Sequence, residues 1–284
     1  MATLVSAWNR AKQRLQAAGI ESPVTDARLL VEAASGASRA DIIADPQRPL
    51  AEDQAAALEA YLTRRERREP VSQILGVKGF WKIMVRVTPD VLTPRPDTET
   101  ILDVVLPRFA EHERFTVLDL GVGSGAILLA ILTERPGARG LGVDVSEDAL
   151  AVARENASNL GLAGRAALLR GDWTSGLSPE SFDLVVANPP YIPTGDIAGL
   201  GPEVRDHEPR VALDGGADGL DAYRRLAPEI IEVLRPGGRF AVEIGIGQRA
   251  AVEALFARAG AVEIQATNDL AGRERVIAGR KKAL

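Results

Sequence analysis

The stretch Phe182-Asp183-Leu184-Val185-Val186-Ala187-Asn188-Pro189-Pro190-Tyr191 limits the possible folds of this chain more than any other. From Leu184 to Ala187 it is apolar without a break. A strand with one face in water alternates, so a continuous run between breakers suits a strand buried on both faces of a parallel sheet. The run stops at an Asn followed by two prolines. Pro189 and Pro190 carry no N–H and hold the chain extended, which leaves the Asn188 side chain and the neighbouring carbonyls as acceptors free to face a ligand. Open parallel sheets bind ligands at such strand ends. Tyr191 adds a flat aromatic face, able to pack on a planar group or to sit against a developing positive charge. Together these residues suit a planar NH2. Taken alone, Asn-Pro-Pro also reads as a strand end closed by a turn, so the rest of the chain must decide.

Strand signals fall at 115–120, 140–143, 166–169, 184–187, 239–244 and 275–278, and helical patterns fill most of the gaps. That alternation predicts an α/β domain with a largely parallel sheet. Residues 1 to about 70 carry helical spacing only. Trp8, Ala11, Leu15 and Ala18 recur at a 3.6-type period before Gly19, and Ser22-Pro23 opens a second helix that ends at Gly36. Ser38 is a cap for Ile42 and Ile43, and a longer helix from Ala51 brings Leu58, Tyr61 and Leu62 to one side. The run Arg64-Arg65-Glu66-Arg67-Arg68-Glu69 mixes signs and reads as a solvated helix face. Between Val77 and Val87 the period becomes two, as in a hairpin. The expected organisation is a helical domain over 1–72, a β-hairpin linker over 73–92 and the α/β domain over 93–284.

Val117-Leu118-Asp119-Leu120-Gly121-Val122-Gly123-Ser124-Gly125 reads as a strand, a glycine-rich turn and a helix start, where glycines let the backbone approach a ligand closely. Gly121, Gly123 and Ala126 also satisfy the looser dinucleotide fingerprint. Asp144 closes the next strand, where a carboxylate can accept from both hydroxyls of a ribose. Gly171-Asp172-Trp173 closes the one after, an acidic group and an indole edge suited to an adenine ring and its amino group. Each also reads as a turn, a helix cap or a core residue. Their placement after successive strands argues for a shared purpose.

Composition narrows the chemistry. There is no Cys, which removes disulfides, thiolate catalysis and Cys-based metal sites. His112 and His207 are the only imidazoles, and no His or carboxylate spacing suggests a metal. A net charge of −5 argues against a general grip on nucleic acid. The apolar run Ala126 to Leu132 is far short of a membrane span, and Arg10, Lys12 and Arg14 interrupt any signal region, so the expected location is cytosolic.

In order, Asp119-x-Gly121-x-Gly123-x-Gly125, Asp144, Asp172-Trp173 and Asn188-Pro189-Pro190-Tyr191 resemble class I S-adenosylmethionine-dependent methyltransferases acting on nitrogen. The Asn-Pro-Pro-Tyr form is shared by adenine-N6 DNA methyltransferases and protein glutamine-N5 methyltransferases. Thr93-Pro94-Arg95-Pro96-Asp97-Thr98-Glu99, Glu208-Pro209, Leu213 to Leu220, Glu243-Ile244-Gly245 and Asp269 to Arg273 are similar to the HemK/PrmC family, which methylates the Gly-Gly-Gln glutamine of peptide-chain release factors. The resemblance runs through both expected domains. It implies a Rossmann-like class I methyltransferase fold with a small N-terminal all-helical domain that recognises the substrate. It further implies S-adenosylmethionine as cofactor, held by Gly121, Val122, Gly123, Ser124, Gly125, Asp144, Asp172, Trp173 and Asn188, and released as S-adenosylhomocysteine. The target glutamine would meet Asn188, Pro189, Pro190 and Tyr191, with Asn188, Pro189 and Tyr191 catalytic. The implied partners are class 1 release factors, with no membrane and no direct DNA binding. Val122 departs from the family, which usually has Thr there. Two other readings stay open: an adenine-N6 nucleic-acid methyltransferase, for which no DNA-reading segment stands out, and a non-catalytic cofactor-binding protein that docks on translation factors.

Overall fold

In the computed structural model, residues 2–283 are described, and the chain groups by its own contacts into two units, Met1–Val77 with Gly201–His207, and Lys78–Leu200 with Glu208–Leu284. The first unit holds helices α1 (Leu4–Ala17), α2 (Pro23–Ser35), α3 (Arg39–Ala44), α4 (Glu52–Glu66) and α5 (Val71–Leu75). Apolar residues at 3.6-type spacing bury Leu4, Ala7, Ala11 and Leu15 of α1 against Leu30, Leu58 and Leu62. Pro23 opens α2 and Gly36 closes it in the left-handed conformation, while Ser38 accepts from the Asp41 N–H to cap α3. Arg65 corrects one expectation. The charged run at 64–69 is not a plain solvated face, because Arg65 is 6% exposed and pairs with Asp26 at 2.8 Å and Glu203 at 3.0 Å.

The second unit begins with strands β1 (Val77–Phe80) and β2 (Ile83–Arg86), followed by α6 (Thr100–Val105), β3 (Thr116–Leu120), α7 (Ala126–Glu134), β4 (Arg139–Asp144), α8 (Glu147–Asn159), β5 (Ala166–Arg170) and β6 (Phe182–Ala187). After α9 (Pro202–Arg205), which groups with the helical unit, come α10 (Asp221–Val233), β7 (Leu234–Glu243), α11 (Arg249–Arg258), β8 (Ala261–Asn268) and β9 (Glu274–Lys281). The change of period at 77–87 predicts a linker hairpin. Instead, Phe80, Ile83, Val85 and Val87 join the hydrophobic core of this unit. Trp81, at φ +52, makes the turn.

The seven-stranded sheet has the order β5-β4-β3-β6-β7-β9-β8. Neighbours from β5 to β7 are parallel, and β9 runs antiparallel to both β7 and β8. Side chains alternate between two cores. Val117, Leu184 and Val186 pack with α6, α7 and α8, whereas Leu118, Leu120, Val185 and Ala187 pack with α10 and α11. Helices on both faces explain why the run at 184–187 has no polar position. Strand β8 lies outside the strand signals of the sequence. It is an edge strand whose alternation is broken by an irregularity between Val262 and Gln265, with Glu263 at φ +54.

Candidate active site

Between β3 and β6 the strand order reverses: β4 and β5 lie to one side of β3, and β6 and β7 to the other. Such a switch point leaves a crevice at the carboxyl ends of the strands. Register fixes what stands there. Leu120 pairs with Val143 of β4 and with Ala187 of β6, so Gly121, Asp144 and Asn188 follow in one row. Asp144 in turn pairs with Arg170, which brings Gly171 next to it. The row opens on a cleft with about 960 Å³ of atom-free space, solvent included, lined by Gly121 to Ser124, Asp144, Gly171, Trp173, Asn188 and Pro190, among others.

Gly121, Gly123 and Gly125 all have positive φ, which lets the loop turn sharply into α7. A Cβ on Gly121 would stand 3.4 Å from the Trp173 ring, so the indole covers the loop. Val122 is buried, and its methyl would lie 2.6 Å from a Cβ on Gly142. Its side chain serves packing against β4, while the Gly121 and Val122 N–H groups both donate to the Val143 carbonyl. The Asp144 carboxylate accepts from the Gly123 N–H at 2.9 Å and the Ser146 N–H at 3.0 Å, one on each oxygen, so each oxygen keeps accepting capacity. Asp119 lies below the loop, 1% exposed. Its Oδ2 accepts from the Leu128 N–H and its Oδ1 has no partner; burial pushes its pKa up to about 7.

Asp172 is placed differently. It is exposed, bonds Arg225 at 2.8 Å and does not line the cleft. At the other side of the row, the Asn188 Nδ2 donates to Thr98 Oγ1 at 3.2 Å. Pro189 is buried and Pro190 half-buried. The Tyr191 hydroxyl turns inward and donates to Glu243 Oε1 at 3.1 Å, and burial raises its pKa.

Residues outside the sequence-level site complete it. The segment after Tyr191 is clamped: the Gln248 Nε2 donates to the carbonyls of Tyr191 and Gly219. Gly219, at φ +75, has no room for a side chain, since a Cβ would stand 2.3 Å from the Tyr191 carbonyl oxygen. Arg95 lines the cleft and pairs with buried Glu208 at 2.5 Å, and Glu208 also accepts from the Thr93 N–H. Burial raises the Glu208 pKa against that pairing. The signal for Thr98, Glu208 and Glu243 was the set of segments shared with the HemK/PrmC family; no local spacing marks them.

This sheet order, with a glycine loop and an Asn-Pro-Pro-Tyr at its switch point, defines a class I methyltransferase. Residues 111–267 match a methyltransferase domain family and residues 6–76 match the PrmC N-terminal domain. Among solved structures, a methyltransferase from Pyrococcus furiosus superposes with a TM-score of 0.52 at 16% identity, over 70% of this chain and 88% of that one. A ribosomal protein L11 methylase from Lactobacillus delbrueckii subsp. bulgaricus gives 0.51 at 21%, over 72% and 90%. These likenesses speak to the fold. A release factor glutamine methyltransferase of Caulobacter vibrioides is 63% identical over 282 residues, covering 99% of this chain and 98% of the relative. Its counterpart in Rhodospirillum rubrum is 47% identical, over 97% and 84%. The chain belongs to the release factor glutamine methyltransferase family.

Proposed function

We propose that the protein transfers the methyl group of S-adenosylmethionine to the side-chain amide nitrogen, N5, of the glutamine in the Gly-Gly-Gln loop of class 1 peptide-chain release factors. The observation that carries this reading is identity of 63% along essentially the whole of a protein so named, together with Asn188 at the switch point in register with the glycine loop.

The residues present suit the cofactor. Gly121 of the glycine loop lies under the Trp173 ring, with the Val122 side chain turned to β4, and Asp144 retains accepting capacity for a ribose. When bound, the cofactor supplies a methyl group activated by a positively charged sulfur. The protein's part is to aim a poor nucleophile, because the amide lone pair is delocalised into its carbonyl. Asn188 Oδ1 and the Pro189 carbonyl accept the two N–H bonds of the target, which orients its nitrogen toward the methyl and favours the positive charge that grows there. With the cofactor bound, the nitrogen–carbon bond would form as the carbon–sulfur bond breaks, and the proton left on nitrogen would pass to solvent water. The helical unit recognises the release factor.

The test is transfer of labelled methyl to intact release factor. Label is expected on the single glutamine, and none on Gln→Ala or Gln→Glu release factor, since glutamate has no amide nitrogen. Duplex and single-stranded DNA run in parallel. Label on adenine, with none on the release factor, would transfer the assignment to nucleic acid.

A further inference from the structure

Next to Asn188 lies a buried polar cluster that amide aiming, as described so far, leaves unexplained. Glu243, at the end of β7, is 1% exposed. Its Oε1 accepts from the Tyr191 hydroxyl. Its Oε2 is buried without a hydrogen-bond partner, although the Thr98 hydroxyl lies near enough to favour the charged carboxylate. Thr98 is itself 4% exposed and accepts from the Asn188 Nδ2. The three side chains therefore line up from a buried carboxylate oxygen that has no donor to the amide at the cleft, with the Asn188–Thr98 hydrogen bond the one formed between them.

The direction of this line follows from donor counting. An ionised carboxylate only accepts, and a threonine hydroxyl has a single proton. Facing Glu243, that proton points at the carboxylate and the oxygen lone pairs turn to Asn188. Asn188 must then meet Thr98 with its NH2, which leaves Oδ1 as the atom for the cleft. A neutral Glu243 can donate to Thr98 instead. The hydroxyl proton then turns to Asn188, the amide reverses, and an NH2 faces the two N–H bonds of the target.

We propose that Glu243 and Thr98 are positioning residues that set which way round the Asn188 amide faces; this rests on the acceptor role argued above for Asn188. The surroundings act on Glu243 in both directions. Tyr223 of α10 donates to the Glu243 backbone carbonyl at 2.8 Å. Arg275 of β9, 6% exposed, donates to the Ile244 carbonyl and pairs with Asp97 at 3.1 Å and Asp269 at 3.4 Å. Burial, the largest influence, pushes the Glu243 pKa up to about 6, and Asp97 acts in the same direction, while Thr98, Arg275 and Tyr191 hold it down.

The experiment measures kcat and KM for intact release factor from pH 5 to 9, with cofactor affinity by calorimetry, in wild type, Thr98→Val, Thr98→Ser and Glu243→Gln. Thr98→Val keeps the shape and removes the hydroxyl, so kcat should fall about tenfold or more. KM and cofactor affinity should stay within about twofold of wild type, as loss of an orienting contact alone implies. Thr98→Ser should restore most of kcat. Wild-type kcat should fall on the acid side with a midpoint near 6, and Glu243→Gln should lack that limb. Unchanged kcat in Thr98→Val, a loss confined to KM or cofactor affinity, or an acid limb that survives in Glu243→Gln overturns the inference. If Glu243→Gln binds no cofactor, the Val and Ser variants decide. Wild type that labels no glutamine sinks the proposed function and this inference with it; wild-type labelling with unaffected variants sinks this inference alone.

Discussion

At Asp119 the cost of burial becomes a dependence on pH. Desolvation, with a smaller contribution from Asp144, raises the folded pKa to about 7 from an ordinary 3.8. The unfolded chain releases this proton near pH 4 and the folded chain holds it to near 7, so stability falls as pH rises through that window. The loss amounts to about 4 kcal/mol at most. Glu243, raised to about 6, adds a contribution of the same sign. Asp119→Asn keeps an oxygen for the Leu128 N–H and cannot ionise. Urea denaturation at pH 5 and pH 8 should show a markedly smaller drop for the variant; equal drops would mean that Asp119 is already ionised in the folded state. At Asn188 the expectation is kinetic. Asn188→Ala should lower turnover about a hundredfold, as loss of a transition-state acceptor implies, with cofactor affinity little changed by calorimetry. Near wild-type methylation would remove Asn188 from the chemistry.

At the scale of elements, the site depends on how closely β4 can approach the glycine loop. A Cβ on Gly142 would stand 2.6 Å from the Val122 Cγ2 and 2.8 Å from the Leu168 Cδ2. Neither neighbour is the free end of a long side chain, so Gly142→Ala should cost about 1 to 3 kcal/mol. It should also weaken cofactor binding, because the displaced Val122 carries the loop. Thermal melting and calorimetry on the variant test both expectations, and an unchanged melting temperature would show that the loop yields freely. The Val at 122 fits the same argument: its methyl groups fill space against β4 and its backbone N–H keeps its bond to Val143.

For the whole molecule, the two units correspond to the two matched families, with one crossing. The chain leaves the sheet-bearing unit at Leu200, contributes Gly201–His207 to the helical unit and returns at Glu208. Within the helical unit, Arg65 of α4 bonds Asp26 of α2 and Glu203 of α9. Arg65→Ala would leave two carboxylates, side chains 12% and 24% exposed, without this partner. Breaking such a pair from one side costs about 3 kcal/mol, read from the shift of the urea transition. A loss below about 0.5 kcal/mol would place the pair among surface bridges. Among the described residues no helix is long and apolar enough to cross a membrane.

Local pattern was enough to determine the strands that flank the switch point, the glycine loop, Asp144 and Asn188 as a row at strand ends, and the helical character of the first 70 or so residues. Each depends on spacing within a few residues and on the rule that a run apolar on both faces is covered on both. The tertiary structure alone decided where polar groups find their partners. Asp172 turns away to Arg225, 53 residues on, and Asn188 bonds Thr98, 90 residues back. Glu243 takes the Tyr191 hydroxyl from 52 residues earlier, and Arg65 reaches Glu203 across 138. The hairpin expected as a linker packs into a core for the same reason. Periodicity states which face of a segment is apolar, whereas the partner of a buried donor or acceptor is set by the path of the chain in space.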